Sequence, residues 1–238
     1  LAGLGIGYTS GTQWTDSFMG KGWSNAVSVT AYGSFTYGGF YADALAGYAY
    51  ASNQVQRQIT VPGLQPRTAS GSTGANQFLG QAELGYGFAI FPLAQASITP
   101  FARVQVSTVN QAGFSEWGAN SLSLNVAQQT TSSVRTTFGA ELGGAVPLGT
   151  ERKLALALRL GWLHEYADTA RQMTASFAGA PSNAFTIYGA TPVRDSAAIG
   201  FSASTAVADN ASLYLRYDGE LAAGTDNHTL NAGFRLSW

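Results

Sequence analysis

Two histidines are the most reactive side chains of this sequence, and each has a carboxylate nearby. His164 precedes Glu165, and Asp226 lies two residues before His228. A histidine oriented by a carboxylate can act as the base for a serine or threonine nucleophile, which suggests hydrolysis of a lipid or peptide. Adjacent residues of a strand point to opposite faces, which argues against a His164–Glu165 dyad. We predict that neither histidine is catalytic and that both pack at an interface or in a loop.

An acidic pair is the second candidate for chemistry. The stretch "LYLRYDGEL" (213–221) places Asp218, Glu220 and Arg216 on one face of a strand. Two carboxylates on one face can perform acid/base chemistry. The alternative, which we favour, is a charge network that holds strands in register and lines a pore. The chain has no cysteine, which excludes disulfides and thiolate metal sites, and we predict no catalytic, metal-binding or cofactor-binding residue.

The elements that carry these residues alternate with the period of a β-strand. In "LALALRLGW" (154–162) leucines oppose small residues and Arg159, and "VRTTFGAEL" (134–142) sets Arg135 and Glu141 opposite an apolar face. Weaker alternation recurs at 3–8, 25–35, 40–50, 77–88, 97–108, 196–207 and 229–238. The pattern predicts about ten strands, most of them roughly 8–11 residues long, which is the length of a tilted bilayer crossing.

Composition excludes several classes of protein. The 238 residues suffice for one large all-β domain or two smaller domains. Only 11% of residues are charged, against roughly 25% in ordinary soluble domains. No uncharged apolar stretch of about 18 residues exists, so a bundle of membrane helices is excluded. The net charge of −1 gives no basic surface for nucleic acid, and none is predicted as a partner.

Alternation of this kind fits either a soluble β-sandwich or a membrane β-barrel. The strand length, the small residues on the polar faces and the aromatic residues near strand ends favour the barrel. The apolar faces should then meet lipid, leaving Val104, Leu156, Leu158 and Leu215 accessible. The opposite faces should line one lumen with seven charged side chains, namely Glu83, Arg135, Glu141, Arg159, Arg216, Asp218 and Glu220.

The connections between strands alternate in length. Short links are predicted at 36–39, 89–96, 147–153 and 208–211, and long loops at 9–24, 51–76, 109–131 and 167–195, with a modest link at 222–228. Short turns on one side and long loops on the other are typical of an up-and-down antiparallel barrel of the bacterial outer membrane.

Several motifs resemble a known family. The region 163–202 contains an H-E-aromatic step at 164–166, F-A-G-A-P at 177–181, F-x-hydrophobic-x-G at 185–189 and R-D-S at 194–196. Together with "YDGEL" (217–221), "FYADALAGYAY" (40–50) and "TPFARVQV" (99–106), these resemble the β-domains of autotransporters, the translocators of type V secretion. The resemblance runs over nearly the whole chain.

The resemblance implies a function and a set of partners. Family members are twelve-stranded outer-membrane barrels with a lumenal helix, and they anchor and export an N-terminal passenger. Residues 1–238 are then one translocator domain that lacks the first two strands and the helix. The alternatives are a small porin or adhesin barrel, or a barrel enzyme. Some members of the family cleave their own passenger inside the lumen, which leaves self-cleavage open here.

The last strand resembles the signal read by the barrel assembly machinery. Its residues would be Asn231, Gly233, Leu236 and Trp238. We expect Phe234, Leu236 and Trp238 to point outward and Gly233 to point inward beside a neighbouring ring. Besides this machinery, the resemblance implies periplasmic chaperones and outer-membrane lipid as partners.

Overall fold

A computed structural model describes the chain in residues 1–15, 20–63, 65–91, 96–149, 152–168, 170–189, 191 and 193–236. Within these residues the strands are β1 (Ala2–Thr15), β2 (Gly20–Tyr37), β3 (Phe40–Ile59), β4 (Arg67–Tyr86), β5 (Phe88–Phe91), β6 (Ala96–Gln111), β7 (Phe114–Ser115), β8 (Leu124–Val126), β9 (Gln129–Leu148), β10 (Arg152–Glu165), β11 (Gln172–Phe177), β12 (Ala180–Tyr188), β13 (Asp195–Ala208), β14 (Ala211–Ala222) and β15 (Thr225–Leu236). One turn of 3₁₀-helix spans Asn120–Leu122. No helix within these residues is long and apolar enough to cross a bilayer.

The main sheet is an up-and-down antiparallel array. Its order is β1-β2-β3-β4-β6-β9-β10-β13-β14-β15, with β5 paired to the start of β6. The sheet is curled into part of a barrel, as the sequence predicted for an all-β membrane barrel. Within the described residues no backbone ladder joins β1 to β15, so both edges of the array are open.

The strands of this array are longer than the sequence predicted, with 12–20 residues each. The predicted loop at 51–76 is mostly strand, because the β3–β4 ladder continues from the pair Phe40–Tyr86 to the pair Ile59–Arg67. The predicted loop at 9–24 is likewise strand up to Thr15 and again from Gly20. These upper segments carry polar residues on both faces, so the sequence shows no apolar alternation while the backbone ladder continues.

The two remaining predicted loops contain a second sheet. Residues 114–126 and 172–188 form four short antiparallel strands in the order β12-β11-β8-β7. The segment that contains β7 lies alongside the upper part of β4, where Ser70 and Trp117 exchange backbone hydrogen bonds. The predicted link at 222–228 is a tight turn after Ala222, with Gly224 at φ 79°. The predicted connections at 109–131 and 167–195 do join strands of the main sheet, and they carry the second sheet, which was not predicted.

Strand register assigns each residue to one of two faces. Val104, Leu158 and Leu215 lie on the convex face and are 41%, 44% and 41% exposed, while Leu156 on the same face is half-buried. Exposed apolar side chains of this kind form a continuous outer band, which is the surface a lipid-facing barrel presents.

Candidate functional site

All seven predicted lumenal charges lie on the same face of the sheet. Register connects Glu83 to Arg103 on β6 and Glu141 to Arg159 on β10, and further neighbours extend the same face to Asp218 on β14. Because side chains directly opposite one another in a ladder point to the same side, Arg135, Arg216 and Glu220 share this face as well.

Glu83 is the centre of the largest group of contacts on this face, which we call the Glu83 hub (Tyr41, Glu83, Arg103 and Arg159). Glu83 is 5% exposed. It accepts hydrogen bonds from the Tyr41 hydroxyl at 2.7 Å, from Arg103 Nε at 2.5 Å and from Arg159. The guanidinium of Arg159 lies 3.7 Å from the ring centroid of Phe101. One carboxylate therefore pairs with two arginines, and an aromatic ring covers one of them.

The hub also shows how strongly the sheet is curved. Tyr41 is on β3 and Arg159 is on β10, with β4, β6 and β9 between them. Four strand spacings would separate the two residues by about 19 Å on a flat sheet. Arg159 Nη2 nevertheless lies 3.3 Å from the Tyr41 hydroxyl. The face that carries the charges is therefore concave.

A second group of charges lies on the concave face around Arg135. Arg135 Nη1 is 3.1 Å from Glu220 Oε2, and its Nε is 3.2 Å from Glu165 Oε2. Glu165 is 3% exposed and also accepts hydrogen bonds from the Ser133 hydroxyl and the Val134 amide. Ser196 donates to the other oxygen of Glu220 at 3.1 Å. These contacts link β9, β10, β13 and β14.

The remaining predicted charges, Glu141, Arg216 and Asp218, are more exposed than those of the first two groups. Arg216 and Asp218 form a two-pronged ion pair at 2.7 and 2.9 Å along one strand. Glu141 Oε2 is 3.7 Å from Arg159 Nε. Asp218 and Glu220 are therefore each engaged by an arginine, which leaves no free pair of carboxylates poised for acid/base chemistry at this point of the sheet.

The two histidines lie on the convex face, away from these charges. His164 Nδ1 is 2.8 Å from Asp195 Oδ1, which also accepts a hydrogen bond from the indole of Trp162. Glu165 points to the concave face, so it does not pair with His164. His228 Nδ1 is 2.7 Å from the Tyr217 hydroxyl, and its Nε2 is 3.9 Å from Asp226.

An ion pair with a buried glutamate joins the upper hairpin of β3 and β4 to the segment that carries the second sheet, and we call it the Arg57 clip (Arg57 and Glu116). Arg57 Nη2 is 2.7 Å from Glu116 Oε2 and Arg57 Nε is 2.9 Å from Glu116 Oε1. Arg57 also donates to the carbonyl of Leu122, and the amide of Leu124 donates to Glu116. The side chain of Glu116 is 5% exposed.

The last strand carries the residues of the predicted assembly signal. Asn231 and Gly233 lie on the concave face, and Phe234 and Leu236 are exposed on the convex face. The ring of Tyr214 lies over Gly233 so closely that a Cβ at this position would overlap it. Trp238 lies outside the described residues.

Several residues that complete these groups were not predicted from the sequence. Tyr41 and Arg103 stand in stretches already noted for their resemblance, and Glu165 was considered only as a partner of His164. Each lies opposite its strand's apolar residues, so the same alternation could have identified all three. The Arg57 clip had no such signal, because no apolar periodicity marks the segments that carry it.

A family model described as the autotransporter β-domain matches residues 1–218. Among solved structures, the translocator domain of the autotransporter NalP from Neisseria meningitidis superposes with a TM-score of 0.74 at 17% identity, covering 100% of this chain and 74% of that chain. This structural similarity supports the fold.

Two curated proteins are also similar in sequence. "Esterase EstA" of Pseudomonas aeruginosa and of Pseudomonas putida are each 28% identical over 169 residues, which is 71% of this chain and 25% of the relative. The matched part is thus about a quarter of the length of these relatives.

Proposed function

The chain belongs to the autotransporter β-domain family and is an outer-membrane translocator barrel, and from this premise we propose that its concave face holds a segment of its own N-terminal passenger during export. The observation that carries this proposal is the concave face itself. Its charged and hydroxyl side chains sit within a protein whose outer band is apolar, so the face offers a polar path across the membrane.

Two buried polar atoms on this face support an additional occupant. Asp43 Oδ1 and Arg159 Nε have no hydrogen-bond partner within the described residues. Asp43 stands opposite Glu83 in the ladder, which puts it on the concave face. A buried polar group without a partner is costly. A peptide segment crossing the lumen would supply a donor to Asp43 and an acceptor to Arg159.

Cross-linking in the full-length precursor tests this proposal. The chain has no native cysteine, so single engineered cysteines are unambiguous. Gln105 lies on the concave face, 2.9 Å from Gln81, and its neighbour Val106 is exposed on the convex face. We expect Gln105→Cys to form a disulfide with a cysteine placed in the segment preceding residue 1, and Val106→Cys to form none. Equal cross-linking at both positions would contradict the proposal.

We also propose that β1 and β15 are each closed by further strands of the same barrel, as the resemblance to a twelve-stranded family implies. Unpaired backbone groups at an edge in lipid cost several kcal/mol each. A disulfide cross-link between the two edge strands, β1 and β15, tests this proposal. A disulfide in good yield between Ile6→Cys and Leu230→Cys in residues 1–238 would show a ten-stranded barrel and overturn this proposal.

We propose that the barrel assembly machinery recognises the last strand by strand addition, with main-chain hydrogen bonds for affinity and the residues Asn231, Gly233, Leu236 and Trp238 for specificity. Periplasmic chaperones would deliver the unfolded chain. Deleting Trp238 should lower the yield of membrane-inserted protein far more than the unfolding midpoint, since burial of one large apolar side chain contributes only about 1.5–3 kcal/mol. Unchanged insertion with a large loss of stability would make Trp238 a packing residue.

We assign no hydrolytic role to the barrel itself. The esterase named among the relatives is a longer protein, and this chain matches about a quarter of it. The precursor that carries His164→Ala and His228→Ala should export its passenger, and retain any passenger activity, at the parental level. Loss of an esterase activity in this double variant, with export intact, would favour the barrel enzyme instead.

A further inference from the structure

Above the apolar band, the side chains of the convex face change from apolar and aromatic to polar. On β3 the outward residues run from Phe40 to Tyr50 and then continue as serine and glutamine up to residue 58. At a rise of about 3.4 Å per residue and a tilt near 40°, the ten steps from Phe40 to Tyr50 cover about 26 Å, which is close to the height of a barrel's apolar band. The polar stretch therefore begins where the hydrocarbon core of the membrane ends.

Neighbouring strands continue this polar stretch, which we call the outer polar belt (outward residues of 52–58, 68–76, 108–110 and 130–132). Asn76, Asn110 and Thr130 stand in one row across β4, β6 and β9. Asn76 accepts a hydrogen bond from the Tyr48 hydroxyl at 2.6 Å, and Asn110 donates to Thr130 at 2.8 Å. The belt thus consists of amides and hydroxyls directly above the aromatic residues of the band.

The belt contains no acidic side chain among the described outward residues of β1 to β9. A strand face in contact with bulk water ordinarily carries charged residues of both signs. Amides and hydroxyls can both donate and accept hydrogen bonds, so without carboxylates they fit a partner that is rich in uncharged hydroxyl groups. Sugars present such a surface.

One cation stands at this level, between two aromatic rings. Lys21 lies opposite Gln56 of the belt on one side and Trp14 on the other. Its ammonium is 4.7 Å from the ring centroid of Trp23 and 6.0 Å from that of Trp14. Within the described residues Lys21 forms no ion pair, so its charge is available to an anion from outside the chain.

We propose that Lys21, Trp14, Trp23 and the outer polar belt bind the headgroup of a phosphorylated glycolipid in the outer leaflet. The ammonium of Lys21 pairs with a phosphate, the indole rings stack on a sugar, and the belt exchanges hydrogen bonds with sugar hydroxyls. The acyl chains of the same lipid then lie on the apolar band below. This binding is independent of any passenger.

Native mass spectrometry of the full chain in detergent micelles tests the proposal. The probes are an acylated glucosamine disaccharide with two phosphates, the same lipid without phosphates, and phosphatidylglycerol. We expect the phosphorylated glycolipid to bind in preference to both others. Lys21→Gln should weaken this binding about fivefold, since one lysine near an anionic lipid surface contributes about 1 kcal/mol, and Lys21→Arg should retain it.

A matched control is the other lysine of the chain, Lys153, which lies beside the short turn at the opposite end of the barrel. Lys153→Gln should leave glycolipid binding unchanged. Equal weakening by Lys21→Gln and Lys153→Gln would overturn the proposal, as would equal binding of the glycolipid without phosphates. Inorganic phosphate and the deacylated disaccharide should not displace the lipid, and displacement by either would show a soluble ligand in its place.

Discussion

In both the Glu83 hub and the Arg57 clip, arginine pairs with a buried glutamate, yet the two connect the molecule on different scales. The hub joins side chains from β3, β4, β6 and β10 across the strands between them. The clip joins one hairpin to one neighbouring loop and satisfies the backbone of that loop at Leu122 and Leu124. The first maintains the curvature of the wall, and the second anchors a local segment above the membrane.

The two groups differ in how much stability is lost when the carboxylate is removed. At the hub, one buried carboxylate pairs with two arginines within the membrane band, so its loss removes the ion-pair partner of Arg103 and leaves Arg159 only the more distant Glu141 at 3.7 Å. At the clip, Arg57 keeps 31% of its side chain exposed and can be rehydrated if Glu116 is lost. We therefore expect hub variants to affect the whole barrel and clip variants to affect the second sheet alone.

Removal of the hub carboxylate should have the largest effect. Glu83→Ala leaves Arg103 and Arg159 without their shared partner, and breaking a buried ion pair costs about 3–5 kcal/mol. Urea unfolding of the full-length protein in lipid vesicles measures the loss. The isosteric variant Glu83→Gln keeps the hydrogen bond from Tyr41, so its free energy of unfolding should fall less than that of Glu83→Ala. Equal, small losses in both variants would mean that the hub does not hold the barrel together.

Breaking the clip should have a local effect of intermediate size. Glu116→Ala removes the partner of Arg57 and the acceptor of the Leu124 amide, at about 1–3 kcal/mol of local stability. We expect faster proteolysis within 112–128 and an unchanged unfolding midpoint of the barrel. Glu220→Ala, on the membrane part of the concave face, serves as the reverse control. A clip variant that lowers the unfolding midpoint of the barrel would show that the clip, like the hub, stabilises the whole barrel.

The aromatic cover of the hub should contribute less than its carboxylate. Phe101→Leu keeps an apolar side chain but removes the ring beneath the Arg159 guanidinium, a contact worth about 0.5–2 kcal/mol. The unfolding free energy reports the loss. If Phe101→Leu lowers the unfolding free energy as much in the Glu83→Ala background as in the parent, the ring acts by packing and not through its contact with the Arg159 guanidinium.

The smallest effect is expected at Glu141. Its carboxylate is 3.7 Å from Arg159 Nε and its side chain is 38% exposed. A partly exposed pair of this kind contributes about 0–1 kcal/mol. Glu141→Gln should therefore leave the unfolding free energy within 1 kcal/mol of the parent. A loss comparable to that of Glu83→Ala would extend the hub to Glu141.

Alternation in the sequence was sufficient to predict the membrane part of the fold. Each of the ten predicted segments overlaps a strand of the main sheet. Its period of two assigned Glu83, Arg159 and Glu220 to the face opposite the apolar band. Lipid makes this possible, because it requires an apolar side chain at every second position and leaves a readable pattern.

Residue types and their spacing were enough to predict the strands of the main sheet, their two faces and the family to which the chain belongs. Which charges meet depends on the tertiary structure. Tyr41 and Arg159 are distant in the chain and four strands apart in the sheet, and the curvature that joins them arises from twist and coiling summed over all the strands. The second sheet depended on tertiary structure as well. Water satisfies an unpaired loop, so its sequence needs no apolar period. The contacts of Arg57 and the backbone hydrogen bonds between Ser70 and Trp117 join it to β3 and β4.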